Sequence, residues 1–304
     1  MANVVTTAET NLTKAAQLQK VREVDFVNQF THNSLAKLIE VLGVTRKIPM
    51  MEGTTMYVYT AKATSGNPHS GSVPEGEIIP LSQYEVTKTA VGEITVKKWR
   101  KGVSVEAIKK SGFETAVLDT DAALLRDVQN GIRTDFFTLL NGTITGSVTA
   151  TGVGLQAALA NAWGKLQIAF EDDTAESVYF VNPADIAAYL GTAQISVQTA
   201  FGMNYIENFL GLGTVIISNR VTAGTFVATA KQNLVMYYLT MNGDIAAAFG
   251  LTSDDLGYVG IKSGYPNEER AQIESLVMDG IQFFVEYAAG VVKGTITAAS
   301  SGTT

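Results

Sequence analysis

At 304 residues and 46% hydrophobic composition the chain can bury a large core, in one or two domains. It has no cysteine, which excludes disulfides, thiolate metal sites and cysteine nucleophiles, and no run approaches the roughly 18 apolar residues of a membrane span. The net charge of −7 is uneven, +1 up to Ala150 and −8 beyond, and the acidic half argues against a general nucleic-acid binder.

Residues 1–32 read as an arm, polar with scattered Val and Leu, and carry no apolar signal-peptide core. Asn33 or Ser34 caps a short helix through Leu42. Thr55 to Ala61 alternates as a strand, and Glu93 to Lys97 alternates again with Ile94 and Val96 inward. Between them runs a loop from Ser65 to Pro80, rich in turn formers and longer than a hairpin needs. Such a loop is usually functional, a lid or an arm that reaches a partner. The basic run Lys97-Lys98-Trp99-Arg100-Lys101 follows. It is either a solvated face or a contact with an acidic neighbour or a nucleic acid.

Phe113 to Leu140 is the dominant element. Phe113, Val117, Leu124, Val128, Ile132, Phe136 and Leu139 draw one stripe down a helix of roughly 40 Å. Ser111 with Glu114 is its expected capping box, and Asn141-Gly142 its stop. Thr143 to Gly154 reads as a linker. Leu155–Phe170 is helical, 177–181 a buried strand, and Asn182-Pro183 starts a helix to Leu190. Gln194 to Leu212 is irregular. Strands are expected at 214–218, 226–229, 234–239, 273–277, 281–287 and 291–297, with a short helix at 244–249. A long helix followed by mixed sheet and helices is α+β.

No catalytic constellation emerges. His32 and His69 are isolated, and no nucleophile elbow exists. Ser34-x-x-Lys37 lacks the partner motifs of penicillin-recognising enzymes. Gly152-x-Gly154-x-x-Ala157 imitates a dinucleotide fingerprint, but the residues before it do not read as a buried parallel strand. Asp172-Asp173 and Asp254-Asp255 read as solvated turns. No catalytic, cofactor or metal site is expected.

The order of pieces resembles one family, the major capsid proteins of tailed bacteriophages. Val73-Pro74-Glu75-Gly76-Glu77-Ile78-Ile79-Pro80 is similar to a segment of its extended loop. Tyr179-Phe180-Val181-Asn182-Pro183-Ala184-Asp185, Gly213 to Ser218, and Glu286-Tyr287-Ala288-Ala289-Gly290-Val291-Val292-Lys293 resemble later strands in family order. The resemblance implies an α+β, tailed-phage major capsid fold with N-arm, E-loop, long spine helix, peripheral domain sheet and axial domain. It implies an N-terminal arm at 1–32, then a peripheral domain at 33–150 with an E-loop at about 56–96 and a spine helix at about 113–140. An axial domain follows at 151–262, and 263–304 returns to the peripheral domain. The implied function is a non-enzymatic structural protein that self-assembles into an icosahedral shell around a phage genome.

The implied partners are copies of itself in pentamers and hexamers, a separate scaffolding protein, a portal, and double-stranded DNA enclosed without sequence-specific binding. The implied location is the virion, with assembly in the host cytoplasm, and no membrane or cofactor is involved. Intersubunit contacts are expected at Lys62, Pro74, Glu75, Glu77, Ile78, Lys97, Lys98, Arg100 and Lys101. Lys62 and Lys88 match no crosslinking motif, so no covalent chemistry is expected. Two other readings stay open: an α+β enzyme with Glu75 and Glu77 on a mobile lid, and an encapsulin-like protein shell.

Overall fold

A computed structural model describes residues 44, 46–63, 73–78, 81–171, 175–191, 197–200, 203–241, 243–253 and 257–297. The expected arm, the helix to Leu42, His32, His69, Ser34-x-x-Lys37, both Asp pairs and most of the loop from Ser65 to Pro80 lie outside the described residues.

Strands β1 (Arg46–Met50), β2 (Thr55–Ala63), β3 (Tyr84–Glu93) and β4 (Lys97–Ser104) come first. The strand expected at Glu93–Lys97 is instead the junction between β3 and β4. Ile94 is fully buried there and turns the chain from one sheet to the next.

Helix α1 (Val105–Ser111) is capped by Ser104, whose Oγ accepts from the Ala107 N–H at 3.3 Å. Ser111 therefore ends a helix and does not start one. Gly112, at φ 84°, turns the chain, and a wide turn at Glu114–Leu118 leads into α2 (Asp119–Asn141). The 23 residues of α2 span about 35 Å. Val128, Ile132, Phe136, Phe137 and Leu140 are its buried stripe, whereas Phe113 is 48% exposed. Asn141 and Gly142 do stop it: the Gly142 N–H donates to Thr138 O, and the Asn141 amide donates to Arg220 O.

The expected linker contains β5 (Val148–Val153), because its β-branched residues pair in parallel with a later strand. Helix α3 (Gly154–Ala169), β6 (Ser177–Val181) and α4 (Pro183–Leu190) follow, α4 capped by Asn182. The stretch expected to be irregular holds β7 (Gln198–Ala200) and β8 (Met203–Ile206), and β9 (Thr214–Ile217), β10 (Thr225–Ala230) and β11 (Leu234–Leu239) come next. Helix α5 (Asp244–Phe249), β12 (Thr252–Ser253), β13 (Val259–Asn267), β14 (Gln272–Asp279), β15 (Ile281–Val285) and β16 (Val291–Thr297) complete the chain.

These strands build four sheets: β5-β16-β10-β6-β9-β8-β7, β12-β13-β14-β4, β1-β11-β15 and the hairpin β2-β3. The closing strand Val291–Thr297 pairs with neither the β12-β13-β14-β4 nor the β1-β11-β15 sheet; it lies between β5 and β10 in the seven-stranded sheet. Conversely β11, placed with the axial domain from sequence, pairs with β1 and β15.

The central strands of the seven-stranded sheet are buried on both faces. Val178, Phe180 and Ile216 face a core shared with α2, while Tyr179, Val181 and Val215 face a second core under α3. That explains β6, an uninterrupted apolar run with every residue buried. Phe136 is the hub: its ring meets Phe137, Phe180 and Phe283 edge-on at 5.1 to 5.4 Å, joining α2 to two sheets.

Candidate functional surface

Strand β4 carries the basic run, and strand geometry sends alternate side chains to opposite faces. Trp99 packs on the core beside α2. The flanking Lys97 and Lys101 reach the same helix. Lys97 pairs with Asp135, and Lys101 Nζ lies 2.6 Å from Asp121 Oδ1 and 2.8 Å from Val117 O. Lys101 and Asp121 are nearly buried, and burial lowers the Lys101 pKa against the opposing pull of Asp121.

On the other face Arg100 grips Glu274 of β14 with two nitrogens, at 3.0 and 2.7 Å. Burial pushes the Glu274 carboxyl up, but hydrogen bonds from Arg100, Gln272, Asn267 and Tyr265 overcome it and hold the group down at about 2. Lys97, Arg100 and Lys101 thus each hold an ion pair inside the chain. Their partners Asp121, Asp135 and Glu274 went unnoticed in the sequence because strand pairing and helix packing, not sequence proximity, bring them together. Lys98 is exposed.

Beside Arg100 and Glu274 opens a cavity of about 470 Å³, lined also by Lys262, Tyr265, Phe249 and Met278. A lid enzyme would put a proton-transferring acid here. A carboxylate held at about 2 by four donors is a fixed anion at neutral pH and a poor general acid. Among the described residues no group of three acidic or imidazole side chains could hold a metal ion. The dinucleotide reading fails on position: β5 is an edge strand, so its end forms no crevice between diverging strands.

The hairpin presents several large side chains to solvent. β2 and β3 pair from Thr55↔Glu93 to Ala63↔Tyr84, and among the described residues neither joins another sheet. Lys62 stands opposite Glu85 in that register. Tyr57, Tyr84 and Val86 are exposed, and the Lys88 ammonium sits 3.6 Å from the Tyr57 ring centre. Beyond the strands, Pro74, Glu75 and Glu77 are exposed around a tight turn that closes with Glu77 N–H donating to Pro74 O, with Gly76 at φ 88°. Ile78 and Leu81 are 93% and 92% exposed. The tip residues Pro74, Glu75, Glu77 and Ile78 are therefore on the surface, and of the basic run Lys97, Arg100 and Lys101 hold partners within the chain.

No protein-family model matches this chain, and no curated protein sequence matches it. Solved structures do. A chain of the holo-SrpI encapsulin complex from Synechococcus elongatus superposes with a TM-score of 0.56 over 95% of this chain and 96% of its own, at 13% identity. A chain from Mycobacterium phage Patience gives 0.56 over 97% and 96%, at 10% identity. One from the mature capsid of bacteriophage PhiM1 gives 0.52 over 88% and 86%, at 11% identity. Near-complete coverage in both directions, with a long helix flanked by an extended hairpin and mixed sheets, shows that this chain has the α+β Hong Kong phage capsid fold.

Proposed function

We propose that this chain is the major capsid protein of a tailed bacteriophage, a non-enzymatic subunit that assembles with its own copies into an icosahedral shell. The observation that carries this reading is the β2–β3 hairpin. A two-stranded hairpin of about 30 Å is marginal alone in water. This one exposes Tyr57, Tyr84 and Val86, and its connection exposes Ile78 and Leu81. Neighbouring copies would cover them, and symmetry would repeat each weak contact many times.

In this reading the hairpin is the E-loop and α2 the spine. The axial domain is the seven-stranded sheet with α3 and α4, formed by about 148–230 and 291–297. The peripheral domain is α2 with the β1-β11-β15 and β12-β13-β14-β4 sheets. Pro74, Glu75, Glu77 and Ile78 meet a neighbour. The groove of Lys262, Arg100 and Phe249 offers such a tip both positive charge and apolar wall. Lys98 and Lys62 remain proposed contacts. A separate scaffolding protein, a portal, enclosed double-stranded DNA, assembly in the host cytoplasm and a place in the virion complete the proposal.

The similarity to an encapsulin chain supports a second reading, a shell that encloses protein cargo. Electron microscopy of purified assemblies, with their nucleic-acid and protein contents measured, separates the two. Closed shells that package DNA in infected cells support the capsid. Shells holding one co-purifying enzyme support the encapsulin reading, and a compact monomer under all conditions refutes both.

A further inference from the structure

Asp279 ends β14 at the turn into β15 and is fully buried. Its Oδ1 accepts one long hydrogen bond, 3.4 Å from the Ile281 N–H, and its Oδ2 is buried with no hydrogen-bond partner among the described residues. A carboxylate so poorly solvated is costly when ionised.

Among the described residues, the elements around it supply one cation, Lys97. β4 places Lys97 opposite Asp279 in register, and β13 places uncharged Val259 opposite on the other side. Helix α2 brings up Asp135, which holds the Lys97 ammonium in an ion pair with about half of its own side chain exposed. One lysine therefore stands between two carboxylates, paired with the one on the helix and opposite the one in the sheet. Burial pushes Asp279 up to about 6, against the opposing pull of Lys97 and the Ile281 N–H, and Asp135 adds to the rise.

We propose that Asp279, Lys97 and Asp135 form a proton-controlled tie between α2 and the β4–β14 pair. When Asp279 is neutral, Lys97 belongs to Asp135 and binds the helix to the sheet. When Asp279 ionises, it competes for the same ammonium, and the tie to the helix loosens. The direction follows from the geometry: acid strengthens the helix–sheet connection, and rising pH weakens it. The device belongs to the subunit and does not depend on what the shell contains.

Hydrogen–deuterium exchange of the full chain at several pH values from 5 to 8, corrected for intrinsic exchange rates, tests this. Peptides covering 130–140 should exchange about two- to fivefold more slowly at the acid end, the range an exposed ion pair supports. The midpoint should fall near the Asp279 value, and peptides covering 291–297 should show no step. Asp279→Asn should hold slow exchange at every pH. Lys97→Met, at a side chain 38% exposed and so tolerant of change, should hold fast exchange at every pH. A flat wild-type profile, a step shared by the whole chain, or a step that survives in either variant that folds would overturn the proposal.

Discussion

Arg100 and Glu274 sit diagonally across β4 and β14, joined by two parallel hydrogen bonds of 2.7 and 3.0 Å. The pair makes a subunit-internal clasp out of a residue that the sequence alone suggests for a neighbour. It also separates two effects that one basic run would otherwise mix.

Reversing Lys98 and reversing Arg100 should therefore give different defects. Arg100→Glu sets a carboxylate beside the nearly buried Glu274 and, with Arg100 itself 45% exposed, should cost about 1–3 kcal/mol. Lys98→Glu changes an exposed site and should stay within about 0.5 kcal/mol of the parent. Urea denaturation measures both. If Lys98→Glu keeps its midpoint yet loses shell yield in sedimentation, and more so at low salt, Lys98 faces an acidic neighbour. Equal destabilisation by the two reversals would contradict the clasp.

The pH dependence carried by Glu274 has a definite sign. Its pKa is about 2 in the fold, below an unfolded value near 4.3. The unfolded chain takes up the proton first, so this stability is present above about pH 4.3 and is lost as pH falls toward 2. Thermal melts between pH 6 and 2.5 should show the decline, and Glu274→Gln should flatten it at a cost of about 1–3 kcal/mol at neutral pH. An unchanged slope in the variant would show that other groups carry the acid sensitivity.

Phe136→Ala should be among the most damaging core substitutions. It removes a fully buried ring that touches Phe137, Phe180 and Phe283 and leaves a cavity where α2 meets two sheets. About 3–5 kcal/mol should be lost in calorimetry or denaturant titration. A loss under about 1 kcal/mol would mean the site collapses around the missing ring.

The hairpin tip should affect assembly without affecting folding. Ile78→Asp, or Glu75→Lys with Glu77→Lys, alters exposed side chains and should leave circular dichroism and the melting midpoint unchanged. Shell yield should fall sharply. In the double Lys variant, a compensating Lys262→Glu should restore part of it if the tip sits in the groove. Full yield from Ile78→Asp would remove the tip from the interface.

What the chain determines on its own is local and periodic. The 3.6-residue stripe from Val117 to Phe136 specifies the long helix. Ser177 to Val181 reads as a doubly buried strand, and Asn182-Pro183 as a helix start, because each signal depends on neighbours within a turn. The order of such pieces also sufficed for the capsid-fold resemblance. Tertiary structure decided what depends on distant pairing. β5 is a strand because β16 lies beside it, 144 residues on in register, and β16 joins that sheet and not the one formed by β1, β11 and β15. Lys97, Arg100 and Lys101 find partners within the chain because Asp135, Glu274 and Asp121 are folded against β4, and Asp279 meets Lys97 only once β4 and β14 pair. Charge has no period, so a run of cations looks the same in sequence whether its partners lie across a sheet, on a helix or on another subunit; only the packing distinguishes them.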